Sequence, residues 1–306
     1  MTSKLKGIVP PLVTPLLNNT TIDTEGLERL IEHVIAGGVH GIFILGTTGE
    51  AQSISMELRH EMIRQSARIL NKRLPLLVGI SDTSLQDSLS LARLASDSGA
   101  DAVVSAPPYY FATGQAELAE FYEQLIPELP LPVYLYNMPT HTKVSFAPDT
   151  IRRIAAHPKV SGFKDSSGSG SYFQSVMHAL RDRTDFSLFV GPEEMMAESV
   201  LMGADGGVNG GANIFPSLYV SLYNAAVDKN VDKVRELHQL VMQISATIYT
   251  VGSYGSSYLK GVKAALSELG ICNDFVAAPF NKFDEEHKGK IRTALQAAGV
   301  QLHNIV

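Results

Sequence analysis

The sequence predicts an α/β fold, a (β/α)8 TIM barrel followed by a C-terminal helical extension. Three observations lead there. Short apolar runs alternate strictly with segments of helical periodicity, eight times over and with no linker between them. Three helix-to-strand joints are alike, Gly38-Val39-His40-Gly41, Gly99-Ala100-Asp101-Ala102 and Gly203-Ala204-Asp205-Gly206. Each offers a glycine for the left-handed residue that ends a helix. Finally, 306 residues exceed an ordinary single domain but suit one barrel. The rival is an open doubly wound sheet, which would place a Gly-rich phosphate turn after its first strand. This chain has Pro10-Pro11 there.

Taken in order, the strands are expected at residues 7–13, 41–46, 74–80, 102–106, 133–136, 160–164, 186–190 and 206–209. A polar turn, Asn18-Asn19-Thr20, follows the first. Asp23 or Thr24 can then cap a helix whose Leu27, Leu30, Ile31, Val34 and Ile35 share one face. Further helices are expected near 55–70, 84–98, 115–129 and 147–156. After Asn209 no strand pattern remains, and residues 216–229, 232–249, 256–269 and 285–298 read as helices, more than an eighth unit needs. Residues 1–225 are therefore assigned to the barrel. Residues 226–306 form the helical extension, packed on the barrel or meeting another subunit.

Composition narrows the function. A formal charge of −6 gives no electrostatic footprint for nucleic acid or an anionic membrane. The single cysteine, Cys272, excludes an intramolecular disulfide framework and fits a reducing compartment. The opening Met1-Thr2-Ser3-Lys4-Leu5-Lys6 lacks the apolar run of a signal peptide, and no stretch approaches a membrane span. A cytoplasmic enzyme is the expectation. The nine histidines show no His-x-His or His-Glu-x-x-His spacing, so no metal site is expected.

In a barrel, reactive groups belong at the C-terminal ends of the strands. The sixth strand, Val160-Ser161-Gly162-Phe163-Lys164, ends on a lysine, where a buried parallel strand normally carries an aliphatic residue. If Val160, Gly162 and Lys164 share the inner face, desolvation would lower the lysine pKa and supply free amine to attack a carbonyl. The competing reading is a lysine that snorkels to water or pairs with Asp165. The fifth strand ends in Tyr134-Leu135-Tyr136-Asn137-Met138-Pro139. Its alternation turns Tyr136 inward, on the strand beside Lys164, roughly 4.8 Å away between backbones. Gly46-Thr47-Thr48-Gly49-Glu50 ends the second strand with exposed amides and two hydroxyls, a seat for a carboxylate. Alone, Tyr136 reads as a core tyrosine and the two threonines as a capped turn. Their coincidence at one rim favours chemistry.

These residues, with Pro108-Tyr109-Tyr110, Gly162-Phe163-Lys164 and Gly203-Ala204-Asp205-Gly206-Gly207 in order over roughly the first 215 positions, resemble the Schiff-base class I aldolases grouped with dihydrodipicolinate synthase and N-acetylneuraminate lyase. The resemblance implies that Lys164 forms an imine with a 2-oxo acid, that Thr47 and Thr48 hold its carboxylate, and that Tyr136 shuttles protons. Tyr110 would join a relay with Thr48 and Tyr136. It also implies a homotetramer and no metal or organic cofactor.

Departures from the pattern bear on the substrate. Dihydrodipicolinate synthases resemble Tyr-Asn-x-Pro-x-Arg, whereas this chain has His141 at the arginine position, without the bidentate fork. Gly191-Pro192-Glu193-Glu194 stands where sialic acid lyases resemble Gly-Tyr-Asp-Glu, and Gly210 stands where they have a serine. Glu193 and Glu194 could bond a polyhydroxylated tail, or be an acidic pair at a helix start. Ser166, Gly191 and Val208, with the 206–211 glycine run, complete the expected substrate surroundings. That run could instead cradle phosphate, although no Arg or Lys flanks it closely. The reading is a pyruvate-dependent lyase cleaving a 2-keto-3-deoxy sugar acid or a sialic-acid-like 2-oxo acid. The alternatives are 4-hydroxy-tetrahydrodipicolinate synthase and a non-catalytic 2-oxo-acid sensor.

Overall fold

A computed structural model describes residues 4–305. Its elements run β1 (Gly7–Ile8), β2 (Leu16–Asn18), β3 (Thr21–Ile22), α1 (Thr24–Ala36), β4 (Ile42–Ile44), α2 (Met56–Leu70), β5 (Leu76–Gly79), α3 (Leu85–Ser98) and β6 (Ala102–Ser105). They continue with α4 (Gln115–Glu128), β7 (Val133–Asn137), α5 (Pro139–Thr142), α6 (Pro148–Ile154), β8 (Val160–Asp165), α7 (Gly170–Ala179), β9 (Ser187–Val190), α8 (Met196–Leu201) and β10 (Gly206–Gly207). The helices α9 (Pro216–Val227), α10 (Val231–Thr247), α11 (Ser257–Glu268) and α12 (Glu285–Ile305) finish the chain.

Eight strands lie in the order β1-β10-β9-β8-β7-β6-β5-β4, every pairing parallel. The ring closes just past β1, where Pro11 bridges to Phe43 and Leu12 N–H donates to Phe43 C=O at 2.8 Å. This is the expected (β/α)8 barrel. Local chemistry starts the helices where the sequence said it would. Asp23, Ser55 and Ser84 each accept a backbone N–H of the first turn of α1, α2 and α3. Two layers of core result. Val9, Phe43, Leu77, Val104, Tyr134, Tyr136, Phe189 and Val208 fill the barrel, and a larger apolar layer separates strands from helices.

One local expectation gains a detail and one needs correction. The polar turn after the first strand is the tip of a small antiparallel hairpin, β2 with β3, held by Asn18 Oδ1 accepting from Thr20 N–H at 2.8 Å. Strands of two and three residues carry too little alternation to be read. Val160 does not share a face with Gly162 and Lys164. The register steps from Val133↔Val160 to Tyr134↔Gly162, so Ser161 is an extra residue on β8. The bulge sends Val160 into the outer apolar layer with Phe163 and leaves Gly162 and Lys164 facing inward.

A buried ion pair, Lys263 of α11 with Glu50 at the end of the β4 loop, ties α11 to the barrel. Lys263 Nζ also donates to Phe275 C=O at 2.7 Å, and Glu50 Oε1 accepts Ala277 N–H at 2.7 Å. Both side chains are almost wholly buried. No helix among the described residues is long and apolar enough to cross a membrane. Breaking such a pair from one side strands a charge, so Lys263→Met should cost about 3–5 kcal/mol of unfolding free energy. The double variant Glu50→Gln, Lys263→Met should recover part of that loss. Urea denaturation of the three variants checks it, and strictly additive losses would contradict the coupling.

Candidate active site

Lys164 and Tyr136 face each other across β8 and β7, paired in register at the C-terminal ends of the strands. The Lys164 side chain is inside the barrel, with its residue 6% exposed. Its Nζ lies 4.2 Å from the centre of the Tyr136 ring and 5.3 Å from that of Phe43. Aromatic faces stabilise the ammonium weakly, which keeps the side chain in place without a salt bridge. Burial pulls the amine below the ordinary lysine range, opposed by the Tyr136 phenol and by the Asp165 carboxylate. The rival pairing with Asp165 is not made. Asp165 turns the other way, accepting from Asn137 Nδ2 at 2.8 Å, Ser167 N–H at 3.0 Å and Ser167 Oγ at 2.8 Å. Those bonds knit the ends of β7 and β8 together and leave Lys164 free to react.

The loop after β4 supplies the hydroxyls. Thr47 Oγ1 meets Tyr136 OH at 3.2 Å, and Thr48 Oγ1 meets Tyr258 OH at 3.3 Å. Leu45 and Glu50 bracket this loop with φ of 57° each, a left-handed conformation that bulky residues rarely adopt. Its turns are held by Glu50 N–H on Thr47 C=O and by Thr14 Oγ1 on Gly49 C=O at 2.6 Å. Above the loop opens a cleft of about 570 Å³. Thr47, Thr48, Tyr136, Tyr109, His141 and Tyr258 are among its walls. A smaller cavity inside the barrel reaches Lys164 from below, lined by Val9, Phe43, Val104, Tyr134 and Val208.

The structure brings together some of the expected residues and separates others. Lys164, Tyr136, Thr47 and Thr48 converge, and His141 stands on the cleft wall in α5. The relay differs from the one expected, because Tyr136 pairs with Thr47 while Thr48 pairs with Tyr258. Tyr110 does not reach the site of its own chain. It is 73% exposed and packs edge-on against Phe111, itself 77% exposed. Its neighbour Tyr109 lines the cleft instead. Glu193 and Glu194 do not line the cleft as expected. Glu193 is buried, with Tyr219 OH and Tyr249 OH donating to Oε1 at 2.5 Å each and Gly211 N–H donating to Oε2 at 2.9 Å. Glu194 accepts from Ser245 Oγ at 2.5 Å. Neither carboxylate lines the open cleft, so neither is placed to take a sugar hydroxyl there.

Ser166 and Gly191 sit together at the ends of β8 and β9, where a Cβ on Gly191 would fall 2.1 Å from Ser166 Oγ. Gly191 N–H donates to Asp165 C=O at 2.7 Å, so this corner braces the strand bearing Lys164 rather than facing the open cleft. Sequence reasoning missed Tyr258, which arrives from α11 more than ninety positions beyond Lys164. The nearby Tyr249, Tyr254 and Tyr258 are its faint signal.

Fold and site together define a barrel lyase that works through an amine nucleophile. Comparison with known sequences makes the class particular. The model of the dihydrodipicolinate synthetase family matches residues 4–298, and the chain belongs to that family. Its members are synthases and aldolases that make or break carbon–carbon bonds. A solved structure of dihydrodipicolinate synthase from Bacteroides thetaiotaomicron is 68% identical, with a TM-score of 0.95 over 97% of this chain and 100% of that one. The crystal structure of YagE from Escherichia coli K12, a prophage protein of the same family in complex with pyruvate, is 29% identical. It has a TM-score of 0.91 over 96% of this chain and 98% of that one. The probable 2-dehydro-3-deoxy-D-pentonate aldolase YjhH of Escherichia coli K12 is 28% identical, covering 97% of this chain and 98% of its own length.

Two outcomes follow from the geometry. Tyr136→Phe keeps the ring beneath Lys164 but loses the hydroxyl, so turnover should fall about 10²–10⁴-fold while borohydride still traps the imine. Lys164→Met should abolish turnover and raise stability at neutral pH. The folded lysine binds its proton less tightly than the unfolded one, so parental stability rises with pH between the two pKa values. Denaturant melts should therefore show the variant's advantage shrinking as pH climbs toward the ordinary lysine value of about 10.4.

Proposed function

We propose that the protein reversibly cleaves a 2-keto-3-deoxy sugar acid into pyruvate and an aldehyde, through a Schiff base on Lys164. The buried amine beside the Tyr136 phenol carries this reading. The neutral amine attacks C2 of the 2-oxo acid, and loss of water with uptake of one proton, given by the Tyr136 phenol, leaves a protonated imine and a phenolate. The C4 hydroxyl then gives its proton to the Tyr136–Thr47 pair as the C3–C4 bond breaks, and the electron pair moves into the imine to make an enamine. The aldehyde departs. Protonation at C3 and hydrolysis of the imine release pyruvate and restore the amine. Tyr136 suits the shuttle because its hydroxyl both donates and accepts.

The cleft wall supports a hydroxylated aldehyde half. Gln52, Ser53, Ser81, Tyr109, Thr142 and Tyr254 offer neutral donors and acceptors. No arginine or lysine lines this open cleft among the described residues. A second carboxylate would thus lose its water without gaining a cation. His141, at the position where an arginine would grip that carboxylate, lacks the fork. A sialic-acid-like tail has less support, since Glu193 and Glu194 are engaged elsewhere.

A second reading, 4-hydroxy-tetrahydrodipicolinate synthase, is favoured by the 68% identity to the Bacteroides structure described as dihydrodipicolinate synthase. The tetramer that the family resemblance implies belongs to the same proposal. Pyruvate with borohydride should add one reduced pyruvyl group at Lys164 by peptide mass spectrometry. In parallel, pyruvate release should be measured from a panel of 2-keto-3-deoxy acids, and condensation measured with aspartate semialdehyde. Condensation outrunning every cleavage, and unaffected by His141→Ala, would replace the first reading with the second.

A further inference from the structure

Glu193 is buried at the β9 end without a charged partner among the described residues, and the Schiff-base steps do not use it. Its hydrogen-bond partners are two phenols and one amide. These donors come from separate elements: Tyr219 from α9, Tyr249 from the turn after α10, and Gly211 from the turn after β10. The Tyr249 ring packs edge-on against Tyr258, with centres 4.8 Å apart. The backbone that Glu193 holds also forms the bed of these rings. A Cβ on Gly210 would fall 1.5 Å from Tyr258 OH, and one on Gly211 would fall 2.0 Å from Tyr219 OH. Tyr258 in turn meets Thr48 at the cleft. One connected chain of contacts thus runs from Glu193 to the Thr48 hydroxyl, next in sequence to the Thr47 that meets Tyr136.

We propose that Glu193 is a positioning residue: by fixing Tyr249 and the Gly210–Gly211 turn it seats the Tyr258 hydroxyl against Thr48, and its ionised form is the one that orders the site. The inference rests on the reading of Lys164 and the threonine loop given above. Three donors converge on this carboxyl, two phenols on Oε1 and the Gly211 amide on Oε2, and each bonds the anion more strongly than the neutral acid. A proton on Oε1 displaces one of the two phenols, and a proton on Oε2 leaves a weaker acceptor for the Gly211 amide, so a phenol or the turn loosens. Burial pushes the Glu193 carboxyl up to about 7, opposed by the two phenols and the Gly211 amide. Glu194 on the same turn adds to the rise, and Tyr258 from α11 also faces the carboxylate. Switching between ordered and loosened states therefore falls near neutrality, with the active form on the alkaline side.

Exchange of the pyruvate C3 protons with deuterium, followed by proton NMR, reads the site without knowledge of the aldehyde. For the parent protein, kcat/KM for exchange should rise from about pH 6 to about pH 8 with a midpoint near that of Glu193. Glu193→Gln mimics the protonated carboxyl at every pH, so its profile should lack the inflection at the Glu193 midpoint and keep only the dependence that Lys164 gives, about three- to tenfold below the parent at pH 8. Tyr249→Phe removes one donor to the anion and should shift the rising limb to higher pH. Both variants should still trap pyruvate with borohydride. A Glu193→Gln profile that keeps the parent's inflection, or a limb unmoved by Tyr249→Phe, would overturn the proposal. If Glu193→Gln fails to fold, the Tyr249→Phe limb decides alone. If the parent itself traps no pyruvate, the reading of Lys164 falls first and takes this one with it.

Discussion

An amine inside the barrel is the constraint on which the rest of the site depends. Lys164 ends a parallel strand whose other inward neighbours are aromatic and aliphatic, and water is largely excluded from it. A charge in such a place is costly unless compensated. The structure compensates it only lightly, with the faces of Tyr136 and Phe43 and with a carboxylate that points elsewhere. The outcome is an amine that gives up its proton more readily than a surface lysine, which is the property a nucleophile needs. A salt bridge to Asp165 would have secured the strand end and silenced the chemistry.

Much of the surrounding structure keeps that arrangement from relaxing. The Asp165 bonds to Asn137 and Ser167 tie β7 to β8, so the phenol and the amine stay in register. Asn137 also accepts Phe146 N–H at 3.1 Å, anchoring the strand end to the segment before α6. The threonine loop is bracketed by two left-handed residues, and one of them, Glu50, is pinned by Lys263 from α11. Strain in the loop is therefore held by the helices beyond the barrel. The same helix delivers Tyr258, so the extension both braces the site and completes its wall.

Substrate choice is a separate layer of the problem. On the reading proposed above, the imine centre would ask only for a 2-oxo acid. The cleft above it decides what the remaining carbons carry, through hydroxyls, an amide and one imidazole rather than a guanidinium. Relatives named as sugar-acid aldolases and as dihydrodipicolinate synthases share this frame at similar identity, which is what a common centre beneath a variable wall would produce.

The sequence by itself determined the barrel and the pair at its centre. Strict strand–helix alternation and the three glycine joints specify a parallel closed sheet, because each signal is local and repeats. Period-two alternation was enough to turn Tyr136 inward beside Lys164, since neighbouring strands must bring strand ends together. It could not show the bulge at Ser161, which changes the count by one and is set by pairing with β7. Nor could it show that Tyr110 leaves the site of its own chain, that Tyr258 enters it, or that Glu193 turns its carboxylate into a ring of phenols. The last two of those outcomes depend on where α9, α10 and α11 dock. Docking is decided by the packing of residues far apart in the chain, which no local pattern encodes.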